Sequence, residues 1–316
     1  MNSQSLNLDN LQTTIPIAPE GFKSGFVAII GRPNVGKSTL MNHLIGQKVA
    51  ITSPVAQTTR NRLQGILTTP EAQIIFVDTP GIHKPHHELG KVLVQNAKTA
   101  IKSVDLVLFV VDSSTDAGTG DRFILDILTR LNTPVILGLN KVDLQPTNYQ
   151  FIDDTYSNLI ADTNWSTVKF SATTGTGTEQ LQKALIDKLE SGPYYYPPDL
   201  VTDQPERFIM AELIREQILL HTRQEIPHSV AITIEKIEET PKITKVNAAI
   251  NIERSSQKGI LIGKKGSMLK TIGTAARKQI QKLISGNVHL ELFVKVEPKW
   301  RQSRLRLAEF GYQVEE

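Results

Sequence analysis

The sequence predicts an α/β fold: a doubly wound parallel sheet carrying a phosphate-binding loop (a P-loop domain), followed by a smaller α+β domain. Three observations predict it. Short apolar runs alternate with helical patterns through the first part of the chain. The stretch GRPNVGKST (31–39) follows the first run directly. The apolar period then changes beyond the proline-rich segment SGPYYYPPD (191–199).

The runs FVAII (26–30), IIFVD (74–78), LVLFVVD (106–112) and PVILGLN (134–140) are apolar on both faces, as strands covered by helices on either side must be. Residues 37–46 and 121–131 read as crossover helices between parallel strands. Residues 1–20 are expected to form a loose tail, 21–190 the α/β domain, and 191–204 a stiff linker that its prolines keep from becoming helical. The three linker tyrosines are expected to pack between domains. In 205–316, Ile209, Leu213, Ile214 and Ile218 take helical spacing, while Val230, Ile232 and Ile234, then Val246, Ala248, Ile250 and Ile252, alternate as half-buried strands. Leu269, Ile272, Ala276, Ile280 and Leu283 return to helical spacing, and Val288 to Val296 alternate again. The predicted order is helix, strand, strand, short helix, helix, strand, around a three-stranded sheet.

No cysteine occurs, which excludes a disulfide framework and a thiolate zinc site and fits a cytoplasmic enzyme. The longest apolar runs are far shorter than the roughly 18 residues of a membrane-spanning helix, and the polar N-terminus lacks a signal-peptide pattern. A soluble protein is expected. The net charge of +3 is unevenly spread: residues 254–306 hold 13 basic and 2 acidic side chains. At that density a polyanionic partner is as reasonable an explanation as a solvated face.

GRPNVGKST matches G-x-x-x-x-G-K-[ST] between a strand and a helix, the context that motif needs. Gly31 and Gly36 let successive N–H groups turn inward on phosphate oxygens, and the helix beginning near Lys37 adds the partial positive charge of its N-terminus. Arg32, Pro33, Asn34, Val35 and Thr39 complete the expected nucleotide-binding loop. Lys37 reaches the outer phosphates as a point charge, and the Ser38 hydroxyl is placed to ligand Mg²⁺. A triphosphate tail is the expected occupant.

A phosphate loop alone does not choose a base. NKVD (140–143) ends the run PVILGLN, where ligands bind in open parallel sheets. The Asp143 carboxylate can accept from guanine N1–H and the 2-amino group, donors that adenine does not present together. Asn140 can bond the opposite edge, and the Lys141 stem can lie along the ring. Adenine there would leave Asp143 desolvated and unpaired. In VDTPG (77–81), Asp78 can hold Mg²⁺ through water, Thr79 and Pro80 belong to the same nucleotide-binding loop, and the Gly81 N–H can meet the γ-phosphate. In QTTR (57–60), Thr59 is chosen over Thr58 as the hydroxyl that closes over Mg²⁺. FSAT (170–173) can give the backbone N–H groups of Ser171 and Ala172 to the guanine carbonyl. The expected catalytic set is Lys37, Thr59 and Gly81, and the metal set Ser38, Thr59 and Asp78. His83, His86 and His87 are expected to be solvated rather than metal-bound. A phosphotransferase could use the same loop, but NKVD and the lack of an obvious lid weigh against it. A degenerate binding module is opposed by the filled phosphate and Mg²⁺ positions.

In the second domain GKKG (263–266) falls between a short helix and a long one. G-x-x-G is common by chance, so its position carries the reading. Gly263 and Gly266 let a phosphate backbone pass against a helix N-terminus, and Lys264 and Lys265 supply charge. Lys270 and Arg277 on the following helix, with Lys299 and Arg301 further on, extend the expected RNA-binding set. Trp300 can either stack on a base or cap the core.

The set GRPNVGKS, QTTR, DTPG, NKVD and SAT, in that order, is similar to the translation-factor-related GTPases and resembles most closely the Era family, which joins such a domain to a C-terminal KH domain of type II. The resemblance covers the chain except about the first 20 residues. It implies a GTPase that cycles between GTP and GDP with Mg²⁺, binds ribosomal RNA of the small ribosomal subunit near its 3′ end, and assists subunit assembly. A cytoplasmic monomer is implied; a peripheral location at the inner membrane surface is left open, with no anchor visible. Asn34 resembles an asparagine that ligands K⁺ in some related GTPases. Ile82 stands where many GTPases place a water-orienting glutamine, so unaided hydrolysis is expected to be slow, on the order of 10⁻⁴ to 10⁻² per second.

Overall fold

A computed structural model describes residues 15–55, 58–82, 88–147, 149–284 and 286–312. Its first part comprises β1 (Lys23–Ile30), α1 (Lys37–Ile45), β2 (Leu63–Thr68), β3 (Ala72–Asp78), α2 (Glu88–Lys102), β4 (Leu106–Asp112), α3 (Thr119–Leu128), β5 (Val135–Asn140), α4 (Tyr149–Leu159), β6 (Ser166–Lys169) and α5 (Thr178–Lys188). The sheet order is β2-β3-β1-β4-β5-β6, with β2 antiparallel to β3 and the other pairs parallel. Alternate residues of the central strands feed two cores. Val27, Ile29, Leu106 and Leu108 pack with α1 and α5, while Ala28, Ile30, Val107 and Phe109 pack with α2, α3 and α4. This two-sided burial is why the runs are continuously apolar. Because β1 lies between β3 and β4, its neighbouring connections diverge at its C-terminal end, the switch point at which a crevice for a ligand opens.

The linker lies along this sheet. Tyr194 and Tyr195 pack on Phe22 and Phe26, with ring centroids 4.4 and 5.2 Å apart. The Tyr196 hydroxyl donates to Gln64 at 2.9 Å, and the Ile66 N–H donates to the Val201 carbonyl at 2.8 Å. The tyrosines thus pin the linker to the first domain instead of packing between domains, because Phe22 and Phe26 present the apolar surface nearest to them.

The second part comprises α6 (Glu206–His221), α7 (Ile226–Ser229), β7 (Ala231–Glu239), β8 (Ile243–Ile252), α8 (Ser255–Ile262), α9 (Ser267–Ile280), β9 (Asn287–Val296) and α10 (Arg304–Glu309). The three strands form one sheet, β7 antiparallel and β9 parallel to the central β8. The predicted order of elements is followed, with α7 and α10 added. Ile214, Ile218, Ile232, Val246, Ile250, Ile272 and Ala276 share one core, and Ile51 from the first part of the chain joins it. Trp300 is fully buried; it stacks on Tyr312 and donates its indole N–H to the Ser229 carbonyl at 3.0 Å. It caps a core and is no platform for a base. Leu89 and Leu93 of α2 join Trp300 and Leu307 in the same cluster, so both parts of the chain meet there. Among the described residues, no helix is long and apolar enough to cross a membrane.

Candidate nucleotide site and nucleic-acid interface

The phosphate loop spans the end of β1 and the start of α1, and its glycines are dictated by close approach. A Cβ on Gly31 would lie 2.3 Å from the Val110 carbonyl oxygen. At Gly36, φ is +98° and a Cβ would lie 2.4 Å from Asn140 Nδ2. Lys37 is buried, and its Nζ donates to the carbonyls of Gly31 and Arg32 at 3.2 and 3.0 Å. Burial pulls the Lys37 ammonium down to about 8, with the Asp78 carboxylate opposing the shift. A buried cation whose hydrogen bonds among the described residues go to carbonyls is matched to an incoming anion. Arg32 places its guanidinium 2.7 Å from the buried Asp121 at the start of α3, so its side chain braces the loop.

Three elements bring the expected metal set together. Ser38 Oγ, in the first turn of α1, donates to Asp78 Oδ2 at the end of β3 at 2.6 Å. Thr59 Oγ1, in the segment before β2, donates to the same oxygen at 3.1 Å and lies 2.9 Å from Ser38 Oγ. Asp78 is fully buried, Oδ1 has no hydrogen-bond partner among the described residues, and desolvation raises the pKa above the ordinary carboxylate range. Two hydroxyls that donate to one carboxylate keep their lone pairs for a hard cation, so the donor set fits Mg²⁺. Thr58 is otherwise engaged: its hydroxyl donates to the Val55 carbonyl at 2.6 Å. Gly81 abuts the loop, where a Cβ would lie 2.7 Å from Pro33 N. Ile82 is buried in the core with Ile101 and Phe109 and does not face the loop. His83, His86 and His87 lie outside the described residues. Among those described, no group of three His, Asp or Glu side chains is placed to hold a metal.

On the base side, Asn140 is held from two directions. Its Nδ2 donates to the Val35 carbonyl at 2.7 Å and its Oδ1 accepts from the Ala172 N–H at 2.9 Å. The side chain ties the phosphate loop to FSAT, because at the end of β5 it lies between the two. The N–H groups of Ser171 and Ala172 are both engaged, the former on the Thr176 carbonyl at 2.8 Å, so their expected contact with the base is not preformed. Lys141 sits at φ 69° with Nζ 2.5 Å from Asp112 Oδ2. Asp112, the last residue of LVLFVVD, is a supporting residue missed in the sequence; an acid closing an apolar run was its only signal. Asp143 is exposed on the turn that follows, with its carboxylate open to a ligand.

In the second domain Gly263 ends α8 at φ +71° and Gly266 precedes α9 at φ +79°, with Lys264 and Lys265 exposed between them. Lys270, Gly273 and Arg277 share one face of α9 and, with Leu290 and Leu292 of the edge strand β9, line a groove that begins at Gly266. Lys299 is exposed. Arg301 is paired with Glu253 and partly buried.

Comparison with known proteins decides the family. A model described as a 50S ribosome-binding GTPase matches residues 26–141, and a KH-domain model matches residues 225–301. GTPase Era of Crocosphaera subtropica is 75% identical over 314 residues, spanning 99% of this chain and 100% of that protein. The chain belongs to the Era family of GTPases. It is a hydrolase acting on GTP, built as a P-loop domain with a C-terminal KH domain. GTPase Era of Rippkaea orientalis is likewise 75% identical, over 96% of each chain. Among solved structures, Era in complex with MgGDPNP and nucleotides 1506–1542 of 16S ribosomal RNA is 39% identical at a TM-score of 0.89, covering 92% of this chain and 99% of that one. A variant of Aquifex aeolicus Era bound to GDP and tetrafluoroaluminate gives 0.88 with the same coverage and identity.

Proposed function

We propose that the chain binds GTP across the loops that follow β1, β3 and β5, hydrolyses it with Mg²⁺, and uses the GKKG groove to hold the 3′-terminal part of small-subunit ribosomal RNA during subunit assembly. The convergence of Ser38, Thr59 and Asp78 beside the buried Lys37 carries the reading. The corresponding domain limits are 21–190 and 205–316, with 191–204 between them. Support for the RNA comes from the 39%-identical relative, which matches both domains and is seen with 16S nucleotides. The 50S-described model spans only residues 26–141 and does not reach the groove. A monomeric state in the cytoplasm belongs to the same proposal.

In this mechanism the Lys37 ammonium neutralises the outer phosphates, and the Gly81 N–H follows the γ-phosphate. Ser38 and Thr59, with Asp78 behind them, would hold Mg²⁺, which would supply positive charge against that developing on the outer phosphates. Asp143 selects guanine. Asn34 donates to the Pro54 carbonyl at 2.8 Å, joining the phosphate loop to the segment that leads to Thr59. K⁺ beside that junction would supply the charge that an arginine finger would otherwise bring, and equal turnover in NaCl and KCl would count against it. The deciding experiment titrates Mg²⁺ against GTP turnover for the parent and Thr59→Ala, and measures binding of a labelled 16S 3′-terminal RNA beside a scrambled one. Thr59→Ala should need more Mg²⁺, and the authentic RNA should bind more tightly. Parent-like Mg²⁺ dependence overturns the metal set, and equal RNA binding overturns the proposed RNA.

A further inference from the structure

The segment that carries Thr59 is held from the other side by the KH domain. Thr59 turns its hydroxyl to Ser38 and Asp78, while the residues on either side of it are anchored in the second domain. The Thr58 carbonyl accepts from the Arg215 guanidinium on α6. Arg60 is buried: its guanidinium donates to the carbonyls of Val230 and Pro227 at 2.6 and 2.9 Å and lies about 6 Å from the ring centres of Trp300 and Tyr312. Earlier in the same segment, the Thr52 N–H donates to Glu216 Oε1 at 2.9 Å, and Lys48 pairs with Glu216 Oε2 at 2.6 Å.

Arg215 is fully buried and held by Glu212, one turn before it on α6, at 2.8 Å from Nε. Two buried guanidinium groups so near each other repel, and burial together with that repulsion lowers the pKa of Arg60. Glu212 and Glu216 offset the charge, so the cluster is retained although each cation is costly to bury. A segment free to move would lose conformational entropy each time Thr59 closed over a cation. Anchoring both neighbours removes most of that freedom in advance, which is how positioning enters a rate.

We infer that Arg215 and Arg60 are positioning residues for GTP hydrolysis: Arg215 holds the Thr58 carbonyl from the KH side, Arg60 reaches from the segment itself into the KH side, and together they hold Thr59 at the metal set. The RNA-binding domain is then part of the hydrolytic machinery rather than a passenger. This rests on Thr59 being the metal ligand proposed above, and the test separates the two claims.

The test is a double-mutant cycle in the full chain with Thr59→Ala and Arg215→Met, the latter keeping an unbranched apolar stem and removing the donor to Thr58. The readouts are the Mg²⁺ concentration for half-maximal GTP turnover, kcat, and GDP affinity, which does not depend on closure over a γ-phosphate. Arg215→Met should lower kcat about ten- to a hundredfold and raise the Mg²⁺ requirement, with GDP affinity at the parent value. In the Thr59→Ala background it should change neither further. If Thr59→Ala alone leaves the Mg²⁺ requirement unchanged, the metal assignment fails. If Thr59→Ala shifts it but folded Arg215→Met is parent-like, or the two effects multiply independently, the positioning role fails. Should Arg215→Met not fold, Arg215→Lys keeps the charge for Glu212 but puts one shorter-reaching nitrogen in place of the planar guanidinium that spans Glu212 and Thr58, and carries the same expectations and the same refutation.

Discussion

Two side chains at the nucleotide site make predictions of opposite character. Asp143 is exposed, and its effect is on selectivity. In Asp143→Asn the amide donates where the carboxylate only accepted, so GTP should weaken by about ten- to a hundredfold while xanthosine triphosphate, with a carbonyl in place of the 2-amino group, should gain. A variant that kept the parental GTP preference would remove Asp143 from the base site. Lys37 is buried, and its effect is on linkage. Its folded pKa of about 8 lies below the model-peptide value of 10.5, so between those values the unfolded chain binds more protons and nucleotide-free stability rises with pH. Incoming phosphates favour the charged form, so binding above pH 8 takes up a proton. GTP affinity should fall as pH rises from 7.5 to 9, by at most about tenfold per unit. Calorimetry in two buffers of different ionisation enthalpy counts the proton, and binding at pH 8.5 without uptake would disprove the linkage.

Element by element, the sequence was most legible where chemistry sits in contiguous backbone. GRPNVGKST, VDTPG, NKVD and GKKG each end an apolar run or open a helix, and the glycines of the first two mark places with no room for a Cβ, as Gly31, Gly36 and Gly81 show. What stayed hidden were pairings between distant segments. Nothing local in the sequence marks Arg60 and Arg215 as buried, yet both are, and the carbonyls they reach, at Val230 and Pro227 for Arg60 and at Thr58 for Arg215, lie far away along the chain. Asn140 also braces the phosphate loop against FSAT, a tie between distant segments that no local pattern encodes. The linker tyrosines pack on Phe22 and Phe26 because of where the linker leaves α5, which spacing alone does not encode. Ile82 lies between the legible and the hidden. Its chemistry rules out orienting water, and its burial adds that truncation is not innocuous. Ile82→Ala should cost about 2–5 kcal/mol of stability while the folded fraction hydrolyses GTP at the parental rate per bound nucleotide. Denaturant unfolding beside single-turnover kinetics checks both, and a rate loss larger than the unfolded fraction explains would give Ile82 a role at the phosphates.

At the scale of the whole molecule, nucleotide and RNA sites are far apart in sequence and joined by the buried arginine cluster, so each should be removable without erasing the other. Lys264 and Lys265 are the cleanest handle on the RNA side because both are exposed, and the flanking Gly263 and Gly266 keep their positive φ when the lysines are changed. Lys265 itself sits at φ 52°, a region where aspartate is better tolerated than most residues. Replacing both lysines with aspartate should therefore leave the melting temperature and GTP affinity near the parent. RNA affinity should fall, since carboxylates would stand where phosphates pass on their way to Lys270 and Arg277 along α9. Salt dependence supplies the second reading. If each lysine neutralises one phosphate, the log–log slope of affinity against salt should flatten by roughly 0.7 to 1 per lysine removed. A folded double variant that bound single-stranded 16S 3′-terminal RNA as tightly as the parent, with an unchanged slope at matched salt, would return 263–266 to the role of a structural turn and move the RNA path elsewhere on the basic surface.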